Sequence, residues 1–267
     1  MNMNRRMVFA VAGIGIVFAG AIWAANRYQG AYTEKNAKLF LNLVATKTQQ
    51  LVNQTHKILL DLSRAKALQT ADRTACNDLL ASQLKQYEEY SGFVFADAQG
   101  NVVCSAPLTS EPINIGDRLH FKRALGGKFA SGEWIVGRLT GETILPFGYP
   151  VLNSEGRVAG VVNAGLNLTW LSKWISRVGL SGDMRAWIMD PDGTVLAHYP
   201  KPERVGQNAS DSEIFDHIMA ARAEGKDEDV FNIEGLDGVK RIYAFRTITD
   251  PAAFGGLLEL YVVAGIR

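Results

Sequence analysis

Residues 7–25, MVFAVAGIGIVFAGAIWAA, carry no charge; sixteen of these 19 positions are hydrophobic and the other three are glycine. As a helix the segment is roughly 28 Å long, close to the ~30 Å hydrocarbon core of a bilayer. Arg5 and Arg6 precede it, and Trp23 and Tyr28 stand near its far end, where interfacial aromatics collect. The positive-inside rule then keeps residues 1–6 in the cytoplasm and places everything after residue 25 on the outer side. A cleaved signal peptide is the competing reading, because Ala21, Ala24 and Ala25 offer a small-residue cleavage site. The apolar run exceeds the usual 7–15 residues of such a peptide, which favours a retained anchor, and either way the remainder is exported. No later stretch has comparable length without charge, so the chain is expected to cross the membrane once.

The whole chain has 28 basic and 27 acidic residues, and residues 26–267 carry a net charge of −1. That balance argues against nucleic acid as a partner, which calls for a clear basic excess. A hydrophobic content of 47% excludes a mostly disordered chain. An oxidising compartment lets Cys76 and Cys104 pair as a disulfide; two buried free thiols are the alternative. There is no CxxC and no Cys/His spacing suited to zinc, so no metal site and no cofactor are expected.

From Asn26 to about Tyr90 there is no proline and helix formers dominate. Leu41, Val44, Thr48, Leu51, Thr55, Ile58, Leu62 and Ala65 recur at steps of three and four. This is a coiled-coil-like seam weakened by two hydroxyls, or else the face of a long helix that packs on its own domain. A homodimer through the long helix is the expectation. A second helix is predicted over Arg73 to Tyr87.

Beyond residue 90 the texture changes to short β-like runs, with an internal repeat. FADAQGNVVC (95–104) matches IMDPDGTVLA (188–197) at an offset of 93. Each copy reads strand, Asp-x-x-Gly turn, strand, because aspartate bonds its own backbone and glycine takes a positive φ. A helix follows in both, with Asp117 and Asp211 as predicted N-caps. Strands are predicted over 129–138, 143–152 and 157–167 in the first copy, and over 229–234, 239–247 and 257–265 in the second. A connecting helix is predicted over 168–178. The expected class is α+β: one transmembrane helix, a long stalk helix and two lobes, each with an antiparallel sheet of about five strands.

The catalytic inventory is thin. Four histidines (56, 120, 198 and 217) belong to no HExxH motif, and there is no G-x-S-x-G elbow, Walker loop or dinucleotide fingerprint. Asp190-Pro-Asp192-Gly193 opens like a calcium loop but has Lys201 where the bidentate glutamate belongs, and so reads as a turn. The densest constellation lies in the first lobe: Arg118, His120 and Phe121 at the start of a helix, Trp134, Val136 and Arg138 alternating on one strand, Phe147 and Tyr149 on the next, and Asn163 and Gly165 on the last. If these faces point inward they form an aromatic pocket with two guanidinium groups, which grip carboxylates bidentately. Alternatively Phe121, Trp134, Phe147 and Tyr149 are core and the arginines are solvated or paired with Asp117 and Glu133.

Several segments carry a resemblance: CNDLL (76–80), FVFADAQGNVVCSA (93–106), IGDRLHFKRAL (115–125), SGEWIVGRLTGETILPFGYPV (131–151) and GRVAGVVNAGLNLTWL (156–171), with WIMDPDGTVLAHYP (187–200) and LELYVVAGI (258–266) matching more loosely. With the anchor and long helix, they make the chain resemble the double Cache (tandem PAS-like) sensory domain of bacterial transmembrane receptors. The resemblance implies a cytoplasmic tail over 1–6, an anchor over 7–25, the helices over 26–90, a membrane-distal PAS-like lobe over 91–167, a connecting helix over 168–178 and a membrane-proximal PAS-like lobe over 179–267. It also implies a non-enzymatic sensor in the inner membrane, with residues 26–267 on the periplasmic side. The output, such as a diguanylate cyclase, histidine kinase or chemotaxis domain, would lie outside this sequence, which stops at Arg267 just past the last strand. A small ligand would sit in the distal lobe against Arg118, His120, Phe121, Trp134, Arg138, Tyr149 and Asn163. Amino-acid-binding relatives place an amine-binding aspartate on the final strand where this sequence has Gly165, with neutral Asn163 nearby, which favours an anionic or neutral ligand such as an organic acid over an amino acid. A membrane-anchored protein-interaction module with no small ligand is the alternative.

Overall fold

The computed structural model describes residues 4–177, 183–249 and 259–267, with side chains from Gln29 onward. Helix α1 runs Asn4–Ser63 and is followed by α2 (Lys66–Gln69) and α3 (Arg73–Gln86). The expected membrane span over 7–25 lies outside the residues whose side chains are described; among the described residues, no helix is long and apolar enough to cross a membrane.

The seam on α1 has a clear destination. Leu41, Val44, Thr48, Leu51, Thr55, Ile58 and Leu62 are all buried, and the helix packs on strands of both sheets. Its two hydroxyls are buried and satisfied. Thr48 Oγ1 donates to Val44 O and Thr55 Oγ1 to Leu51 O, and Thr55 also meets the Tyr90 hydroxyl at 2.8 Å. Asp72 caps α3 by accepting from the Ala75 N–H, and Cys76 on that helix is bonded to Cys104 with a Cα–Cα distance of 6.0 Å.

The first sheet comprises β1 (Tyr90–Asp97), β2 (Val102–Ala106), β3 (Ala130–Ser131), β4 (Ile135–Val136), β5 (Thr143–Leu152) and β6 (Val158–Asn167), in the order β2-β1-β6-β5-β3, with β4 also on β5. The short helix α4 (Leu119–Ala124) lies between β2 and β3 in sequence. Helix α5 (Leu168–Arg177) leads to the second lobe and packs Trp170 and Trp174 near α1, where Lys47 Nζ lies 5.7 and 6.0 Å from their ring centroids. The second sheet holds β7 (Arg185–Met189), β8 (Val195–Tyr199), β9 (Glu228–Glu234), β10 (Lys240–Thr249) and β11 (Glu259–Ile266), ordered β8-β7-β11-β10-β9, with α6 (Glu213–Ala223) between β8 and β9 in sequence.

The two lobes repeat at the level of single hydrogen bonds. Asp97 Oδ1 accepts from the N–H groups of Gln99 and Asn101, and Asp190 Oδ1 accepts from those of Asp192 and Thr194. Gly100 and Gly193 take φ of 84° and 78° in these turns. A Cβ on Gly100 would sit 2.3 Å from the Gly116 nitrogen, so only glycine fits.

Two local expectations are corrected. The strand predicted over 129–138 is two two-residue strands separated by a loop, because Gly132 leaves the ladder after its N–H bonds Pro146 O. The helix caps also shift by one residue. Arg118 is the N-cap of α4 and provides no side-chain cap, since Asp117 is taken by Arg138; on α6 the hydroxyl of Ser212, not Asp211, accepts from Phe215 N.

Candidate functional site

Strand alternation gives the first sheet two faces with different chemistry. Phe93, Phe95, Phe147, Val162, Ala164 and Leu166 pack in the core that includes α1. The opposite face carries Gly92, Val94, Pro146, Gly148, Asn163 and Gly165, which are mostly small. The register places Gly92 and Pro146 on either side of Gly165, and Val94 and Gly148 on either side of Asn163. Small residues on three adjacent strands leave a hollow beneath the segment that leads into α4 and the stretch from Ile135 to Thr140. The result is a cleft of about 590 Å³ when the open space at its mouth is included.

Its walls are mainly aliphatic, with Val94, Val102, Ile113, Ile115, Ile135, Leu139 and Ile144 among them. Four of the side chains expected at a site are brought together here: Arg118, His120, Arg138 and Asn163. Arg118 is half-buried. Among the described residues its guanidinium makes one hydrogen bond, a long one from Nη2 to Val136 O at 3.5 Å, and no carboxylate pairs with it. Arg138 is engaged at the rim. Its Nη1 and Nη2 donate to Asp117 Oδ1 and Oδ2 at 2.6 and 2.8 Å, and Nη1 also donates to Asn114 O. That fork holds the Asp117 carboxyl below the usual carboxylate range.

His120 is 4% exposed. Burial, and secondarily the Arg118 charge, lower its pKa to about 3, so the imidazole is neutral at physiological pH. Asn163 Nδ2 donates to Val161 O at 2.9 Å and Val94 O at 3.3 Å, which orients the amide and leaves Oδ1 buried without a donor. Ser91 Oγ, which also lines the cleft, is likewise buried without a partner. Ser91 reaches the cleft through the irregularity between Tyr90 and Gly92, a feature with no signature in composition or spacing.

The other three expected residues do not line this cleft. Phe121 is fully buried with Ala96, Ile115, Ala124, Ala130 and Val161. Tyr149 lies on the α1 face, with its ring 5.7 Å from that of His56, which itself stacks on Phe129 at 4.4 Å. Trp134 turns toward the second lobe, where its indole covers Gly206; a Cβ there would be 3.1 Å from Cη2. One uncompensated guanidinium, two unmet polar oxygens and apolar walls can hold a small anion with an apolar body. The arrangement has no nucleophile–base pair.

The Cache domain model (dCache_1) matches residues 22–266. Sporulation kinase D of Bacillus subtilis is 26% identical over 164 residues, covering 61% of this chain and 32% of the kinase, so the chain spans about a third of that relative's length. Among solved structures, methyl-accepting chemotaxis protein X superposes with a TM-score of 0.72 at 18% identity, covering 90% of this chain and 99% of that one. The ligand-binding domain of the Pseudomonas fluorescens chemoreceptor CtaA, in complex with L-alanine, superposes with a TM-score of 0.63 at 18% identity, covering 87% and 96%. These likenesses establish the fold. With the family model spanning both sheets and most of the long helix, they lead to one conclusion: the chain belongs to the Cache domain family and is a sensor domain of that kind.

Proposed function

We propose that the chain is the extracytoplasmic input module of a single-pass inner-membrane receptor, with residues 26–267 on the periplasmic side, and that its first, membrane-distal lobe binds a small carboxylate. The observation that carries this reading is Arg118: a guanidinium without a carboxylate partner in an otherwise aliphatic cleft. Arginine is suited to bidentate contact with a carboxylate, and the apolar walls strengthen that contact by excluding water. Buried Asn163 Oδ1 and Ser91 Oγ each want a partner, and a hydroxyl on the ligand suits both. Relatives of this fold include one holding L-alanine. In this chain no carboxylate lines the cleft to neutralise an ammonium group, so we favour hydroxy acids and related organic acids over amino acids.

Ligand closing on Arg118 from the sheet side would favour one arrangement of α4 over another, and it can shift that balance only by its differential affinity for the two. The output is a kinase, a cyclase or a chemotaxis domain on the cytoplasmic side. The test is a thermal-shift screen of the full chain in detergent against small organic acids. We expect an acid that raises Tm, and Arg118→Ala to abolish the shift while leaving the ligand-free Tm within a few degrees. An unchanged shift in Arg118→Ala refutes the assignment.

A further inference from the structure

The second lobe has a hollow at the place that corresponds to the first lobe's cleft. The offset of 93 maps Gly92 onto Arg185 and Val94 onto Trp187. The pairing agrees: Gly92 faces Gly165 across the first sheet, and Arg185 faces Gly265 across the second. Where the first lobe has glycine and valine, the second has two large side chains that donate hydrogen bonds. The hollow is accordingly much smaller, with room inside for about one water-sized group, and is lined by Arg185, Trp187, His198, Lys201, Arg204 and Asp237, with Leu236.

Its donors lack an anion. Trp187 is 3% exposed and its indole Nε1–H is buried with no acceptor among the described residues. His198 is 2% exposed, and its Nδ1 accepts the Lys201 backbone N–H at 3.0 Å. The ring is neutral, so its proton is on Nε2, a second donor. Asp237 is the only carboxylate in the lining. It is already committed to Arg241, which forks onto it at 2.6 and 2.9 Å, and to Arg185 at 3.3 Å. Lys201 and Arg204 have no carboxylate partner among the described residues, and Arg204 lies over the Trp187 ring, 5.9 Å from its centroid. The local charge is therefore positive, beside the unmet indole N–H of Trp187, whose ring meets that of His198 edge to face at 4.2 Å.

We propose that the mouth of this hollow is a second binding site, specific for one small anion that seats a single oxygen inside: a carboxylate group or a small inorganic oxyanion. The narrow interior excludes the apolar body of an organic acid that the first-lobe cleft accepts, so the two lobes read different molecules. The site is independent of the ligand assigned to Arg118.

The test is indole ¹⁵N–¹H NMR of the full chain in detergent micelles, titrated with sodium acetate and separately with sodium phosphate at constant ionic strength. Trp187→Phe identifies the Trp187 resonance by its loss. We expect at least one of the two anions to move that resonance saturably. Arg204→Ala and Lys201→Gln should each weaken that binding at least tenfold, and Arg118→Ala should leave it unchanged. Failure of the first-lobe assignment would show only in the acid screen, not in this resonance. A Trp187 resonance that stays still with both anions, or a shift that is the same in Arg204→Ala and Lys201→Gln as in the parent protein, overturns the proposal.

Discussion

Gly165 shows how one residue sets the chemistry of the cleft. It sits on β6 between Gly92 and Pro146, and a Cβ placed on it would come 2.7 Å from Ile144 Cδ1, the mobile end of a flexible side chain. A larger residue is therefore accommodated by rotating Ile144, and its side chain projects into the space beside Arg118. Gly165→Asp supplies the carboxylate that the cleft lacks. Its charge should repel a plain carboxylate ligand, lowering affinity at least tenfold, while the corresponding α-amino acid gains through its ammonium group. Calorimetric titration of both ligands against both proteins reads the change; an unaltered preference would show that position 165 does not face the ligand. The residues that carry this argument were partly legible. Arg118, His120, Arg138 and Asn163 stand out as chemical types at the right spacing. Period-two alternation correctly groups Phe147 with Tyr149 and Asn163 with Gly165, but it does not say which group faces the long helix. The bulky pair goes to α1 because that helix offers the larger apolar surface, and the small residues open the cleft. The expected aromatics do not line this cleft, whose room comes from absent side chains.

At the scale of elements, α1 separates two apolar patterns. The regular one, from Leu41 to Leu62, is spent on the domain itself, which the sequence left open as one of two readings. A second, shorter pattern lies on the outer surface: Tyr32, Leu39 and Leu43 are 61, 57 and 45% exposed, at steps of seven and four along the helix. That spacing presents them as a stripe on one side, too sparse to dominate a periodicity search but continuous in space. A second copy meeting this stripe would form the homodimer, with paired α1 helices as the route by which a change in the lobes reaches the membrane. Leu39→Lys with Leu43→Lys should then shift the full chain in detergent from dimer to monomer by light scattering, without loss of helix content. Dimers that persist in the double variant would place the interface elsewhere. The repeat at an offset of 93 was the most informative element-level signal. It is carried by turn chemistry, and Asp97 and Asp190 make the same backbone bonds in both lobes. The short strands β3 and β4 were not legible, because their pairing depends on β5 and not on their own sequence.

Across the whole molecule, the two lobes share a dependence on neutral histidine. His120 in the first and His198 in the second are each lowered to a pKa of about 3, mainly by burial and then by a neighbouring arginine, Arg118 or Arg204. An unfolded histidine titrates near 6.5. Between about pH 6.5 and 3 the unfolded chain therefore binds protons that the folded chain refuses, and stability rises with pH through that window. Both contributions are complete above about 6.5 and are lost progressively as the pH falls. At pH 5 each histidine should cost on the order of 1–2 kcal/mol relative to pH 7. Asp190, whose pKa burial raises, acts in the opposite direction, gaining stability as the pH falls. Asp237, lowered to about 2 chiefly by its bond from Arg241, adds to the acid sensitivity only below the ordinary carboxylate range. The balance is a net loss between pH 7 and 5. Urea denaturation at the two values should show a lower midpoint at pH 5, and His198→Asn, which keeps an acceptor for the Lys201 N–H without a titrating ring, should remove about half of the difference. Equal midpoints at pH 7 and 5 would mean that these rings are not held neutral by the fold. Each ring also lines its lobe's cavity beside an arginine, so the burial that makes the protein sensitive to acid belongs to the walls of the two cavities.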